Sequence, residues 1–186
     1  YAMDVFSWFQ NAKFIHVIRD PRDNWGSLKS GWEKRYKNFN DSPERLLQSL
    51  LERGKLGMEF AKNNQEFFGE NNYLVIKFED LTTNPRKVLE IICDFLNIKF
   101  DEILLTPTIC GILWKGNNFE GKNFSSVSDS NVARWKQRIT EHEAKLIEYH
   151  YSDIMKYSDY KLEYTAKEQA QAAMQHYKWF NYSQPN

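Results

Sequence analysis

The chain has 186 residues, 41% of them apolar and 27% charged, with 25 Lys plus Arg against 25 Asp plus Glu. That length suits one domain, here taken as residues 1–186 with 166–186 as an appended helix. A net charge of zero excludes a general nucleic-acid binder, which needs a basic excess. No apolar run approaches the roughly 18 residues of a membrane span, and no signal-peptide pattern follows Tyr1. Cys93 and Cys110 are too few for a disulfide framework and lack metal-ligand spacing. A soluble, cytoplasmic protein is expected, and its 13 Phe, 10 Tyr and 6 Trp are enough for a sizeable core.

The run Lys-Phe-Ile-His-Val-Ile at 13–18 is nearly continuous in apolar character, the pattern of a parallel-sheet strand buried on both faces. It ends in the polar turn Arg19-Asp20-Pro21-Arg22-Asp23. A helix over 24–32 follows, weakened by Gly26 and Gly31. Ser42-Pro43 has the N-cap and N1 residues of a helix start. Leucines and aromatics then predict one long helix over 43–68, bent at Gly54 and Gly57. Residues 73–78 form a second buried strand. Asn84-Pro85 opens a helix with Val88, Leu89, Ile92, Phe95 and Leu96 on its apolar stripe. From 106 to 130 the pattern dissolves into Gly, Asn, Ser and Lys, as in a binding loop. Helix returns over 131–138, after a Thr140/Glu143 capping box, and over 166–180. Strand, helix, strand, helix is the rhythm of an α/β domain whose parallel sheet is covered by helices.

Arg19 follows the C-terminal end of the first strand, the edge where open α/β sheets bind ligands. Ser27 lies eight residues later, in the first turns of the next helix. A guanidinium fork and a hydroxyl so placed suit one phosphate, at roughly 1.5–3 kcal/mol per charge-assisted bond. The alternative is a surface Arg19 paired with Asp20 or Asp23, beside a helix-face serine.

Residues 13–27, Lys-Phe-Ile-His-Val-Ile-Arg-Asp-Pro-Arg-Asp-Asn-Trp-Gly-Ser, resemble the 3′-phosphate-binding strand–turn–helix of the sulfotransferases that use 3′-phosphoadenosine 5′-phosphosulfate (PAPS). In that family an Arg and a Ser at this spacing hold the cofactor's 3′-phosphate. Tyr73 to Leu89, continued by Asp94-Phe95-Leu96-Asn97, is similar to the later strand and helix. There Phe78 stands for a nucleotide-contacting Tyr, keeping a stacking role but no hydroxyl. Asn97 takes a Gly place, which its tolerance of left-handed backbone permits. Trp114-Lys115-Gly116-Asn117-Asn118, then Ser125 to Ser130, then Arg134-Trp135, resembles the loop of bacterial-type members that closes over the 3′-phosphate and adenine. The resemblance gives Lys115, Gly116, Asn117, Asn118 and Arg134 cofactor-binding roles, while Trp135 reads as a core anchor.

The resemblance implies a P-loop-NTPase-like α/β sheet and in-line transfer of a sulfuryl group from PAPS to a hydroxyl or amine, with no metal. The acceptor is left open among small molecules, carbohydrates, lipids and peptides. The family's Gly/Ser/Thr-rich phosphosulfate loop has no counterpart in these residues, so the chain reads as a C-terminal portion lacking the N-terminal strand–loop–helix. No catalytic residue is assigned. The alternatives are a non-catalytic nucleotide-binding or interaction domain of the same fold and a P-loop kinase. His16 reads as a strand histidine, His142 and His150 as surface residues, Glu79-Asp80 as helix-entry carboxylates and Cys93 as a buried inert thiol.

Overall fold

In the computed structural model, which describes residues 1–35, 43–114 and 126–182, β1 (Phe14–Ile18) and β2 (Tyr73–Lys77) pair in parallel. Phe14 lies opposite Tyr73 and Ile18 opposite Lys77. Parallel strands need a long crossover, and the chain between them carries α2 (Pro21–Arg35), α3 (Pro43–Ser49) and α4 (Lys55–Phe68). The residues group into two units. One comprises Tyr1–Arg19 and Gly57–Val132, the other Asp20–Leu56 and Ala133–Asn186.

The first unit is built on aromatic packing against one face of the strand pair. The Phe68 ring of α4 stacks on Tyr73 at 5.9 Å and meets Phe14 at 5.3 Å, and Phe6 of α1 (Ala2–Trp8) adds an edge-to-face contact at 5.1 Å. The Tyr73 hydroxyl accepts a hydrogen bond from Asn64 Nδ2 at 3.2 Å and pairs with His16 Nδ1 at 2.8 Å. His16 is the strand histidine expected. The strand is not buried on both faces, however. Ile15 and Val17 alternate to the other side and stay 39% and 49% exposed, because the aromatic cluster covers only the face of Phe14 and His16.

Beyond β2 come α5 (Phe78–Thr83) and α6 (Pro85–Leu96). Pro85 opens α6 as its position predicts, although the Asn84 side chain makes no capping bond. Asn97 ends the helix at φ 56°, ψ 45°, in the left-handed conformation expected of it. After a 3₁₀ turn (Glu102–Leu105), β3 (Thr108–Ile109) and β4 (Ile112–Leu113) form a hairpin inside the stretch that the sequence leaves as loop. Cys110 and Gly111 turn it, at φ 50° and 78°, the two positive values that a tight hairpin requires.

The second unit holds α2 and α3, then α7 (Trp135–Arg138), α8 (Glu141–Tyr157) and α9 (Ala166–Tyr182). The helix predicted over 131–138 is shorter, since residues 130–134 form turns. The Thr140/Glu143 capping box forms at the start of α8, and Thr165 and Glu168 make the same reciprocal bonds before α9. Helix α9 packs on α8, burying Ala172, Ala173 and Gln169. The helix expected over 43–68 is interrupted by a π-helical turn at Leu50–Gly54. The Tyr151 hydroxyl donates to the Leu50 carbonyl there at 2.5 Å, a side chain inserted at the interrupted helical ladder.

Candidate functional site

In the first unit, the parallel register brings two candidate residues together. Ile18 and Lys77 are paired, so the next residues, Arg19 and Phe78, leave the same end of the two strands. There the Arg19 guanidinium lies 4.7 Å from the centre of the Phe78 ring, and its Nη2 donates to the Asn131 carbonyl at 3.2 Å. Arg19 Nε is buried and has no hydrogen-bond partner among the described residues. Arg19 is half-buried and forms no ion pair with a described carboxylate. A guanidinium held by a ring and one carbonyl, with a donor unused, is set to receive an anion.

Neither Asp20 nor Asp23 is its partner. Asp20 accepts from the Arg22 backbone N–H at 2.8 Å and takes the Arg22 guanidinium through Nε and Nη2, at 3.0 and 2.7 Å. Asp23 accepts from the backbone N–H groups of Ala133 and Trp135, at 2.7 Å each. The surface pairing that the sequence left open is therefore not made.

In the second unit, Ser27 is half-buried on α2, one helical turn beyond Asp23. Arg134, also half-buried, sits between the two residues that Asp23 holds. Helices α2 and α7 approach closely at Gly26, where a Cβ would lie 3.3 Å from that of Arg138. Trp135 is buried beneath the Arg22 guanidinium, 4.4 Å from its ring, the core anchor expected. Lys115, Gly116, Asn117 and Asn118 lie outside the described residues.

The second unit also holds a buried ionic network. Arg22 also donates to Glu148 at 2.5 Å, and Glu148, fully buried in α8, accepts further bonds from Glu163 N, Tyr164 N and Gln169 Nε2 at 3.0–3.1 Å. Burial opposes the Arg22 charge, yet its bonds to Asp20 and Glu148 hold the guanidinium above its ordinary pKa. Glu143 behaves similarly. Burial raises its pKa, but hydrogen bonds from Thr140, Lys29 and Trp25 outweigh that and hold it below the ordinary value. A cavity of about 480 Å³ lies beside it, lined by Trp25, Leu47, His142 and His176 among others.

Sequence reasoning missed Asn131, the hold of Asp23 on the 133–135 backbone and the Arg22–Glu148 pair. One signal for the pair was readable: Glu148 interrupts Leu146-Ile147 and Tyr151 on the inward face of α8. Asn131 acts through its backbone carbonyl, which leaves no trace in residue identity. His142 is exposed as expected, whereas His150 is half-buried, with Nε2 enclosed and unpartnered among the described residues. Cys93 is buried and Cys110 exposed. Glu79 and Asp80 occupy the first turn of α5. Among the described residues no group of three or more His, Cys, Asp or Glu is placed to hold a metal ion, and no helix is long and apolar enough to cross a membrane.

A parallel strand pair joined through helices, with Arg19 at its C-terminal edge, is an α/β arrangement. Residues 2–102 match the family model described as the sulfotransferase family, more than half of the chain. The chain belongs to the sulfotransferase family. No curated protein matches it.

Solved structures with the same fold include the sulfotransferase domain from the curacin biosynthetic pathway, at 21% identity and TM-score 0.62, over 83% of this chain and 56% of that one. The sulfotransferase domain of the Synechococcus PCC 7002 olefin synthase matches at 23% and 0.50, over 94% and 50%. Mouse sulfotransferase SULT7A1, solved in complex with PAP, matches at 16% and 0.55, over 92% and 66%. At these identities the likeness is one of fold. The chain spans between half and two thirds of the length of these relatives.

Proposed function

We propose that this chain forms the 3′-phosphate and adenine side of a PAPS site in an enzyme that moves a sulfuryl group to a hydroxyl or amine. The observation that carries the reading is Arg19. It stands at the ligand-binding edge of the sheet with a buried, unused Nε donor and no carboxylate partner among the described residues. Orphaned buried donors are rare, and an incoming phosphate oxygen supplies the missing acceptor. The residues present therefore fit the cofactor.

In this reading Arg19 and Ser27 bind the 3′-phosphate. Phe78 fixes the Arg19 guanidinium and offers an apolar ring to the nucleotide. Lys115, Gly116, Asn117, Asn118 and Arg134 add donors and positive charge around the same phosphate and the adenine. PAPS, when bound, supplies the sulfuryl group, while these residues hold and orient its nucleotide end. They need no metal for that task. The acceptor class stays open among small molecules, carbohydrates, lipids and peptides.

A thermal-shift titration tests the reading. Adenosine 3′,5′-bisphosphate at 100 times its Kd stabilises the fold by roughly 2.7 kcal/mol, whereas 5′-AMP at the same concentration gives a much smaller shift. The difference disappears in Arg19→Ala. Equal shifts from both nucleotides, with circular dichroism showing a folded chain, would remove the 3′-phosphate assignment.

A further inference from the structure

The backbone at Ala133 is in the left-handed region, φ 55°, without being glycine. That conformation is disfavoured for a residue with a Cβ and persists only where its surroundings impose it. What imposes it here is Asp23. Asp23 is 2% exposed, and its two carboxylate oxygens each accept one N–H at 2.7 Å, from the residues immediately before and after Arg134. A carboxylate bound to backbone N–H groups on both sides of one residue fixes that residue's Cα and the direction in which its side chain leaves the chain. Two further contacts of α2 secure the same turn. Gly26 lets α2 come within van der Waals reach of Arg138, and Arg22 covers the Trp135 ring.

Asp23 also precedes Ser27 by one helical turn, so both lie on the same face of α2. The helix that carries a proposed phosphate ligand thus holds the turn that carries another. We propose that Asp23 is a positioning residue for the nucleotide site, aiming the Arg134 guanidinium at the phosphate that Ser27 contacts. This rests on the reading of Arg134 and Ser27 as cofactor ligands. Asp23 itself touches no nucleotide. It acts through the 133–135 backbone.

The test is a double-mutant cycle read by calorimetric titration of adenosine 3′,5′-bisphosphate, with 5′-AMP as control. Asp23→Asn keeps the shape but turns one acceptor oxygen into an NH₂ donor facing a backbone N–H, and is expected to lower bisphosphate affinity about tenfold. Arg134→Ala is expected to lower it by a similar factor. The double variant then binds about as Arg134→Ala alone, because the carboxylate has nothing left to aim. Ala133→Val is the second probe. It leaves the buried carboxylate in place and penalises the left-handed backbone with a β-branched side chain. It is expected to weaken bisphosphate binding in the wild type and to have little effect in the Arg134→Ala background.

Losses from Asp23→Asn and Ala133→Val that persist in full when Arg134 is absent overturn the inference and make Asp23 a fold-stabilising residue only. Unchanged affinity in both variants, with Arg134→Ala weakened, overturns it equally. A wild type that binds bisphosphate no better than 5′-AMP, or no loss in Arg134→Ala, overturns the underlying site reading and this inference with it. Should Asp23→Asn fail to fold, the Ala133→Val pair carries the same comparison.

Discussion

The Tyr151 hydroxyl occupies the space that Gly54 leaves by lacking a side chain. From there it donates to the Leu50 carbonyl at 2.5 Å, and a Cβ built on Gly54 would lie 2.8 Å from that oxygen and 3.0 Å from Leu50 Cδ1. The π turn, the glycine and the tyrosine are therefore one device, which ties the 50–54 segment to α8. Gly54→Ala should destabilise the protein by about 1–3 kcal/mol through overpacking, although alanine is the better helix former. In a Tyr151→Phe background the same change should cost clearly less, since the clashing oxygen is gone. Urea unfolding of the four proteins checks this, and additive losses would contradict it.

Glu148 is enclosed with Arg22 and accepts bonds from three other groups. Removing one partner of such a pair leaves a buried charge, so Glu148→Ala should cost about 3–5 kcal/mol. Replacing both residues by methionine should cost less than the sum of the two single replacements. A double-mutant cycle in urea decides. Because Glu148 also receives Gln169, loss of α9 helicity should precede the main transition in Glu148→Ala, visible in the circular dichroism.

His16, His150 and His176 each have a pKa below the ordinary 6.5, with burial as the leading cause; the charge of His176 lowers His150 further, and that of His142 lowers His176. Around His150, Lys55 pushes the same way and Glu52 the opposite way. The unfolded chain then takes up protons first as pH falls. Stability from these groups is complete above pH 6.5 and is lost as pH drops through their folded values. Glu143, held below 4.5, adds a second loss in a more acidic window. Unfolding free energies measured between pH 7.5 and 5 should therefore decline, and His150→Gln with His176→Gln should flatten that decline. A pH-independent stability over this range would contradict it.

The Phe78 ring carries the Arg19 guanidinium at 4.7 Å. A half-buried cation–π contact contributes about 1 kcal/mol, so Phe78→Leu should weaken adenosine 3′,5′-bisphosphate binding roughly fivefold. Phe78→Tyr should retain it. Calorimetry on the two variants separates an aromatic requirement from mere bulk.

The strands, Pro-initiated helices and the Asn97 terminus were readable because each depends on local chemistry: apolar runs, a locked φ, an amide side chain that tolerates left-handed backbone. The strand–turn–helix that carries Arg19 and Ser27 was readable for the same reason, being contiguous in sequence. The exposed face of Ile15 and Val17 was not, because an apolar run does not say which of its faces is covered. Nor was the π turn, whose cause, Tyr151, lies about a hundred residues from Gly54. In the sequence Asp23 is only a pairing option for Arg19, and the folded chain shows its oxygens bound to Ala133 and Trp135 instead. Long-range capture of backbone groups leaves no residue pattern to find.

The central claim is that Arg19 recognises a phosphate on the 3′ position of an adenosine nucleotide. Calorimetric titration with adenosine 3′,5′-bisphosphate and its 2′,5′ isomer tests it most directly, since the two ligands carry the same charge and differ only in where the phosphate sits. The wild type should bind the 3′,5′ isomer at least tenfold more tightly, and Arg19→Ala should abolish that preference while remaining folded. Equal affinity for the two isomers, or a preference that survives in Arg19→Ala, would contradict the account.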